Sequence, residues 1–235
     1  MGKEQETTYD SQCTNIKTKI NKMKKFLFLM MVTALSVSVN AQSEKYIGAM
    51  KKNIGMIDSA FRNPDAFLDL ANNFERIGIA EKTQWLPYYY AAYCRVNFGF
   101  MQKDPSGNDP IADKATEMIN KADSLQPKNS EVSVVKSMIA TLQMIVNPQQ
   151  RYMQYGTIIG QQLKNAMDED PANPRPYLIH GQNLKNTPEQ FGGGCKTAKP
   201  ELQTAVEKFN AFKPASEISP NWGKTYTEGL LKACP

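Results

Sequence analysis

The chain has 235 residues, 41% of them hydrophobic, with one histidine, four cysteines and a formal charge of +5, enough for one sizeable core. Six lysines but only three acids precede residue 42; beyond it twenty-two basic residues face twenty acidic ones. The apparent basicity therefore belongs mostly to the leader and excludes a nucleic-acid-binding surface as the reason for the charge.

In chain order, residues 1–22 are polar and mixed in charge, which is foreign to an export signal; we read them as an upstream extension, with translation starting at Met23. Residues 23–41 have the three parts of a secretory signal: Met23-Lys24-Lys25, the apolar run Phe26 to Val39, and the small residues Val39 and Ala41 at −3 and −1 of the cleavage point. About 14 apolar or small residues is short of the roughly 20 that a bilayer span needs. Cleavage after Ala41 places residues 42–235, a single domain, in the periplasm or outside the cell, with no stable membrane insertion.

After the signal, apolar residues recur three and four apart, between breakers. The spacing predicts helices over 44–61, 64–80, 85–98, 111–125, 130–146, 149–169, 174–186, 197–212 and 219–233. The third is aromatic on every side (Trp85, Tyr88, Tyr89, Tyr90, Tyr93, Phe98), so some rings should face a groove, while most of them pack in the core. In the last, Ile218, Trp222, Tyr226 and Leu230 stand four apart. The expected class is all-α: antiparallel helical hairpins stacked in chain order, closed by a C-terminal capping helix.

The hairpins also repeat. Ala115, Ile119, Ala122 and Pro127 have the spacing of Ile159, Leu163, Ala166 and Pro171, and Ala198, Leu202 and Ala205 echo it. Small residues, Ser137 and Gly181, follow the first two prolines by ten. These positions resemble the tetratricopeptide repeat, in which small residues let two helices approach and a proline closes the unit. Trp85 to Ala92 and Pro174 to Gly181 are similar to its first helix. Ala92 to Ala115 and Ser137 to Ile159 are about ten residues longer than the family's spacing. The resemblance implies an exported α-solenoid whose first helices line a concave binding face. It makes Trp85, Tyr88, Tyr89, Tyr93, Tyr177 and His180 the candidate binding surface.

The sequence carries no nucleophile elbow, phosphate loop or zinc spacing. Phe191 followed by three glycines reads as a hairpin turn with Phe191 tucked in, and Asp168-Glu169-Asp170 as a solvated helix end. Lone His180 reads as structural. No catalytic residue, cofactor or metal is expected. Of the cysteines beyond the signal, Cys195 starts one helix and Cys234 ends the next, antiparallel one. An oxidising compartment would pair them and leave Cys94 free. The leading functional expectation is a non-enzymatic module that binds a protein or peptide. The alternative is a soluble accessory of an envelope transport system with a small ligand in an aromatic pocket.

Overall fold

A computed structural model of the chain describes residues 44–234. The upstream extension and the signal segment lie outside the described residues. Contacts divide the chain into two units, residues 1–48 and 49–235. Of the first, only residues 44–48 are described; the packed helical domain is the second.

The helical periodicities fold as helices, and among the described residues there is no strand. In order they are α1 (44–54), α2 (Ile57–Ala60), α3 (Asp65–Glu81), α4 (Trp85–Phe100), α5 (Asp109–Leu125), α6 (Ser130–Met144), α7 (Pro148–Glu169), α8 (Arg175–Asn186), α9 (Cys195–Ala211) and α10 (Lys224–Lys232). Local chemistry sets several of the starts. The Asn129 side chain accepts from the Glu131 N–H, and Asn147 accepts from the Gln150 N–H with Pro148 in the first turn. The extra length between Ser137 and Ile159 is not a loop. It is helix, because only residues 145–147 separate α6 from α7.

From α3 to α10, each helix packs against the next, and α4 also touches α6, as α6 touches α8. These three form an inner row backed by α3, α5, α7 and α9. Small residues set the spacing where the row is tight. A Cβ on Gly181 would stand 2.8 Å from Leu202 of α9, and one on Gly99 would stand 2.7 Å from Leu142 of α6. Such contacts let backbones approach and bury Leu142 and Leu202 completely.

Helix α4 sits between α3, α5 and α6. That explains its composition, since a helix enclosed on most sides must be apolar on most sides. Tyr88, Tyr89, Tyr90 and Tyr93 are all buried, so most of the rings pack between the neighbouring helices. Tyr90 stacks on Phe74 of α3 with ring centroids 5.1 Å apart, an arrangement worth about 1 kcal/mol beyond the area buried.

The last element differs from the sequence reading. A helix over 219–233 is expected, but α10 begins at Lys224. Ile218 and Trp222 therefore precede the helix rather than share a face with Tyr226 and Leu230. The cause lies in the carbonyls that a helix would need there. The Ile218 carbonyl accepts from the Tyr90 hydroxyl at 3.1 Å, and the Pro220 carbonyl accepts from Arg175 at 2.7 Å. Gly223, at φ +110°, then makes the turn into α10. Cys195 and Cys234 are bonded, tying the start of α9 to the end of α10 across 39 positions. Cys94 is free and buried.

Candidate functional site

The inner row and the segment before α10 enclose a cleft of about 850 Å³. Helix α4 contributes Tyr93, Asn97 and Phe100, and α6 contributes Met138 and Thr141. Ile179 and Asn183 come from α8, while Trp222 to Tyr226 form one wall. Phe61 and Asp58 lie at the α2 side. The lining is mainly apolar and aromatic with a few amides, and its size falls in the range of small-molecule sites, about 300–1,000 Å³.

Beneath this wall is a buried polar cluster that the sequence did not announce. Arg175, at the first position of α8, is 0% exposed. One nitrogen of its guanidinium donates to Glu131 Oε1 at 2.7 Å and the other to the Pro220 carbonyl. Its flat face lies 4.7 Å from the Phe212 ring centroid and 5.1 Å from that of Trp222, within cation–π range. Asn173 donates to the same Glu131 oxygen, while the Tyr89 hydroxyl donates to Oε2 at 3.2 Å. The Trp222 indole N–H closes the chain by donating to that hydroxyl at 2.8 Å. Burial pushes the Glu131 carboxyl above its ordinary value, opposed by Arg175 and by the hydroxyl and amide donors. Burial likewise pushes the Tyr89 and Tyr93 phenols and the Cys94 thiol up, so all three stay protonated at neutral pH.

The cluster fixes Trp222, whose ring also lies 4.8 Å from that of Tyr93. Of the six residues expected to form a binding surface, Tyr93 is the one among the cleft's lining residues. Tyr89 lies behind it as the relay to Trp222, and Trp85 packs edge-on against Tyr89 at 5.6 Å. Tyr88 faces the other way, against α3, where its ring fills the space a Cβ on Gly78 would need. Tyr177 lies under the Lys208 ammonium, and His180 Nδ1 stands 3.4 Å from Glu201 of α9. These last two face α9, away from the cleft's lining.

The remaining candidates are structural in their contacts. Gly193 comes so close to the Thr187 carbonyl that a Cβ would stand 2.0 Å from it, and Gly192 and Gly194 have positive φ. The glycine run is thus a tight turn, but Phe191 is 66% exposed rather than tucked in. Asp168 pairs with Lys164, Glu169 accepts from the Ser133 hydroxyl, and Asp170 accepts from the Ala172 N–H. Among the described residues no group of three or more histidines, cysteines and acids is placed to hold a metal ion. No helix among them is long and apolar enough to cross a membrane.

Compared with solved structures, the chain matches the HusA haemophore from Porphyromonas gingivalis with 36% sequence identity and a TM-score of 0.73, over 80% of this chain and 92% of that one. The chain belongs to the family of that haemophore. An all-α, helix-on-helix architecture is therefore the family's as well as this chain's own. No family model and no curated protein matches the chain.

Proposed function

We propose that this protein is an exported, non-enzymatic carrier that holds a haem-type porphyrin in the cleft between α4, α6, α8 and the segment before α10. The single observation that carries the reading is the aromatic cleft of about 850 Å³, built around Tyr93 and Trp222, in a chain so similar to a haemophore. A flat macrocycle gains most from flat aromatic and aliphatic walls. Tyr93, Phe100, Ile145, Ile179, Trp222 and Tyr226 provide them. The small-ligand alternative is thus favoured over docking of a protein or peptide.

The signal at residues 23–41 and the Cys195–Cys234 bond both favour an oxidising compartment, the periplasm or beyond. The alternation of inner and outer helices supports a degenerate tetratricopeptide-like stack, with the cleft on the inner row. Carriage without chemistry is favoured because Arg175, Glu131 and Tyr89 are engaged with one another.

The test is titration of the mature domain with haem, followed by the Soret band and by tryptophan fluorescence. The chain has two tryptophans. Trp222 lines the cleft and Trp85 does not. Saturable binding should shift the Soret band and quench both tryptophans, and Trp222→Phe, which alters a cleft wall, should weaken the affinity more than Trp85→Phe does. Absence of saturable binding, or an affinity that falls with Trp85→Phe but not with Trp222→Phe, refutes the cleft as the site.

A further inference from the structure

The part of the cleft wall that α10 supplies is held at its two ends. Upstream, the Tyr90 hydroxyl, Arg175 and the Tyr89 hydroxyl engage Ile218, Pro220 and Trp222. Gly223 follows in a space with no room for a side chain: a Cβ on it would stand 2.8 Å from Phe209 and 2.9 Å from Leu178. Downstream, the Cys195–Cys234 bond ties the end of the helix to the start of α9.

Between these points the helix has little to hold it. It spans nine residues, of which Thr227 alone is buried, and it packs chiefly on α9. Tyr226 is 53% exposed although it lines the cleft. Helices shorter than about 12–15 residues are marginal in water without tertiary packing, so the position of α10 depends on its anchors. The upstream anchor ends at Gly223, where the chain turns at φ +110°. Rotation at this glycine can move α10 without disturbing Trp222. The downstream anchor is a bond that chemistry can open. Cys234 is buried, but Cys195 is partly exposed, so a thiolate can reach the Cys195 sulfur from outside.

We propose that α10 is a lid on the cleft and that the Cys195–Cys234 bond is its latch, opened by a dithiol reductant. One thiolate of the reductant attacks Cys195 Sγ, the disulfide breaks, and Cys234 leaves as a thiolate that takes up a proton. The second thiol attacks the reductant's own sulfur in the mixed disulfide and releases Cys195 as a thiol. Two electrons pass to the protein, and the reductant ends as a disulfide. With the latch open, Lys224, Thr225 and Tyr226 swing away at Gly223, while Trp222 stays with Tyr89. This rests on the porphyrin reading of the cleft and adds a means of release: an oxidising compartment keeps the wall shut, and a dithiol lets the ligand go.

The experiment loads residues 42–235 with metal-free protoporphyrin IX, so that dithiothreitol has the disulfide and no iron to reduce. Release to excess serum albumin is followed by porphyrin fluorescence. Reduction should speed release about tenfold, the effect of losing one aromatic wall contact worth roughly 1.4 kcal/mol. The double variant Cys195→Ser/Cys234→Ser should release at the faster rate with or without the dithiol. Tyr226→Ala should release fast while oxidised and gain little on reduction. Hydrogen exchange on the reduced, empty domain should show protection lost over residues 224–232 and kept in α4 and α6. Equal release rates from the oxidised and reduced domain overturn the latch and leave the porphyrin reading intact. So does loss of protection throughout the domain, which would make the bond a support of the whole fold. If the oxidised domain binds no porphyrin, the porphyrin reading fails, and the release step with it.

Discussion

Replacing Arg175 with methionine removes a guanidinium that is fully buried and leaves its partner behind. Three interactions are lost or weakened. The Glu131 carboxylate keeps only the Asn173 and Tyr89 donors. The Pro220 carbonyl loses its donor. The rings of Phe212 and Trp222 lose the cation between them. Breaking a buried ion pair by removing one partner typically costs about 3–5 kcal/mol, most of it from the stranded charge. We therefore expect Arg175→Met to lower the unfolding free energy by about 4 kcal/mol, read from urea or guanidinium unfolding at pH 7.

The origin of that loss has its own signature. Without Arg175, burial raises the Glu131 pKa further above its ordinary value of 4.5. A carboxyl with a raised folded pKa binds its proton more tightly in the folded state. Stability then falls as pH rises from the unfolded pKa through the folded one. The variant's deficit should thus shrink as pH is lowered toward 4.5. Removing the stranded charge in the double variant Arg175→Met/Glu131→Leu should restore roughly 2 kcal/mol of the loss. A single-variant cost below about 1 kcal/mol, or a double variant no more stable than the single, would refute the account.

Cys234→Ser opens a loop of 39 positions and should cost up to about 4 kcal/mol in the chain-entropy model. Thiol titration of residues 42–235, denatured without reductant, should find Cys94 alone. Asp109→Asn should weaken the two-pronged contact with Arg151, whose oxygen–nitrogen distances are 2.6 and 2.8 Å. That contact holds the Asp109 carboxyl below its usual 3.8. Its contribution, about 1 kcal/mol or less for so exposed a pair, is therefore present above pH 3.8 and lost as pH falls through the lowered folded value. Chemical unfolding at pH 7 and at strongly acidic pH should show the wild-type and Asp109→Asn curves converging only in acid. Metal-free protoporphyrin should bind within a fewfold of haem, because the chain's one histidine, His180, is outside the cleft lining and burial keeps the Tyr93 and Tyr226 phenols of that lining protonated. A hundredfold preference for haem in the same fluorescence titration would show that iron ligation dominates.

Helix existence was legible because it depends on local spacing: Phe67, Leu70 and Phe74 carry α3 in the sequence as they do in its buried face. The Cys195–Cys234 pair was legible because two successive antiparallel helices bring those ends together. The cleft was not, for two reasons. Aromatic residues on α4 look alike in sequence whether they line a cavity or fill a core, and only packing by α3, α5 and α6 separates Tyr93 from Tyr88. Arg175 and Glu131 are charged and 44 positions apart. Sequence habit places such residues in water, and nothing local says that each becomes the other's solvent. The run Pro174-Arg175-Pro176, an arginine held between two prolines at a helix start, is the nearest to a signal.

The same cluster explains why α10 starts where it does and why the cleft has a wall at all. Had residues 218–222 continued as helix, the carbonyls of Ile218 and Pro220 would have been taken up by backbone amides four residues on. Tyr90 and Arg175 claim those carbonyls instead. Trp222 is thereby left outside the helix, free to turn its indole N–H toward Tyr89 and its ring toward Tyr93. The N-terminus of α10 is left uncapped at the cavity's edge. A buried ion pair seldom adds net stability over an apolar core. Here its positions suggest another use: it fixes the path of the chain that forms the cleft wall. That distinction is measurable in the double variant Arg175→Met/Glu131→Leu. It should regain stability but not porphyrin affinity, since the methionine and leucine side chains cannot hold the Pro220 carbonyl. Recovery of wild-type affinity along with stability would mean that the wall forms without the cluster.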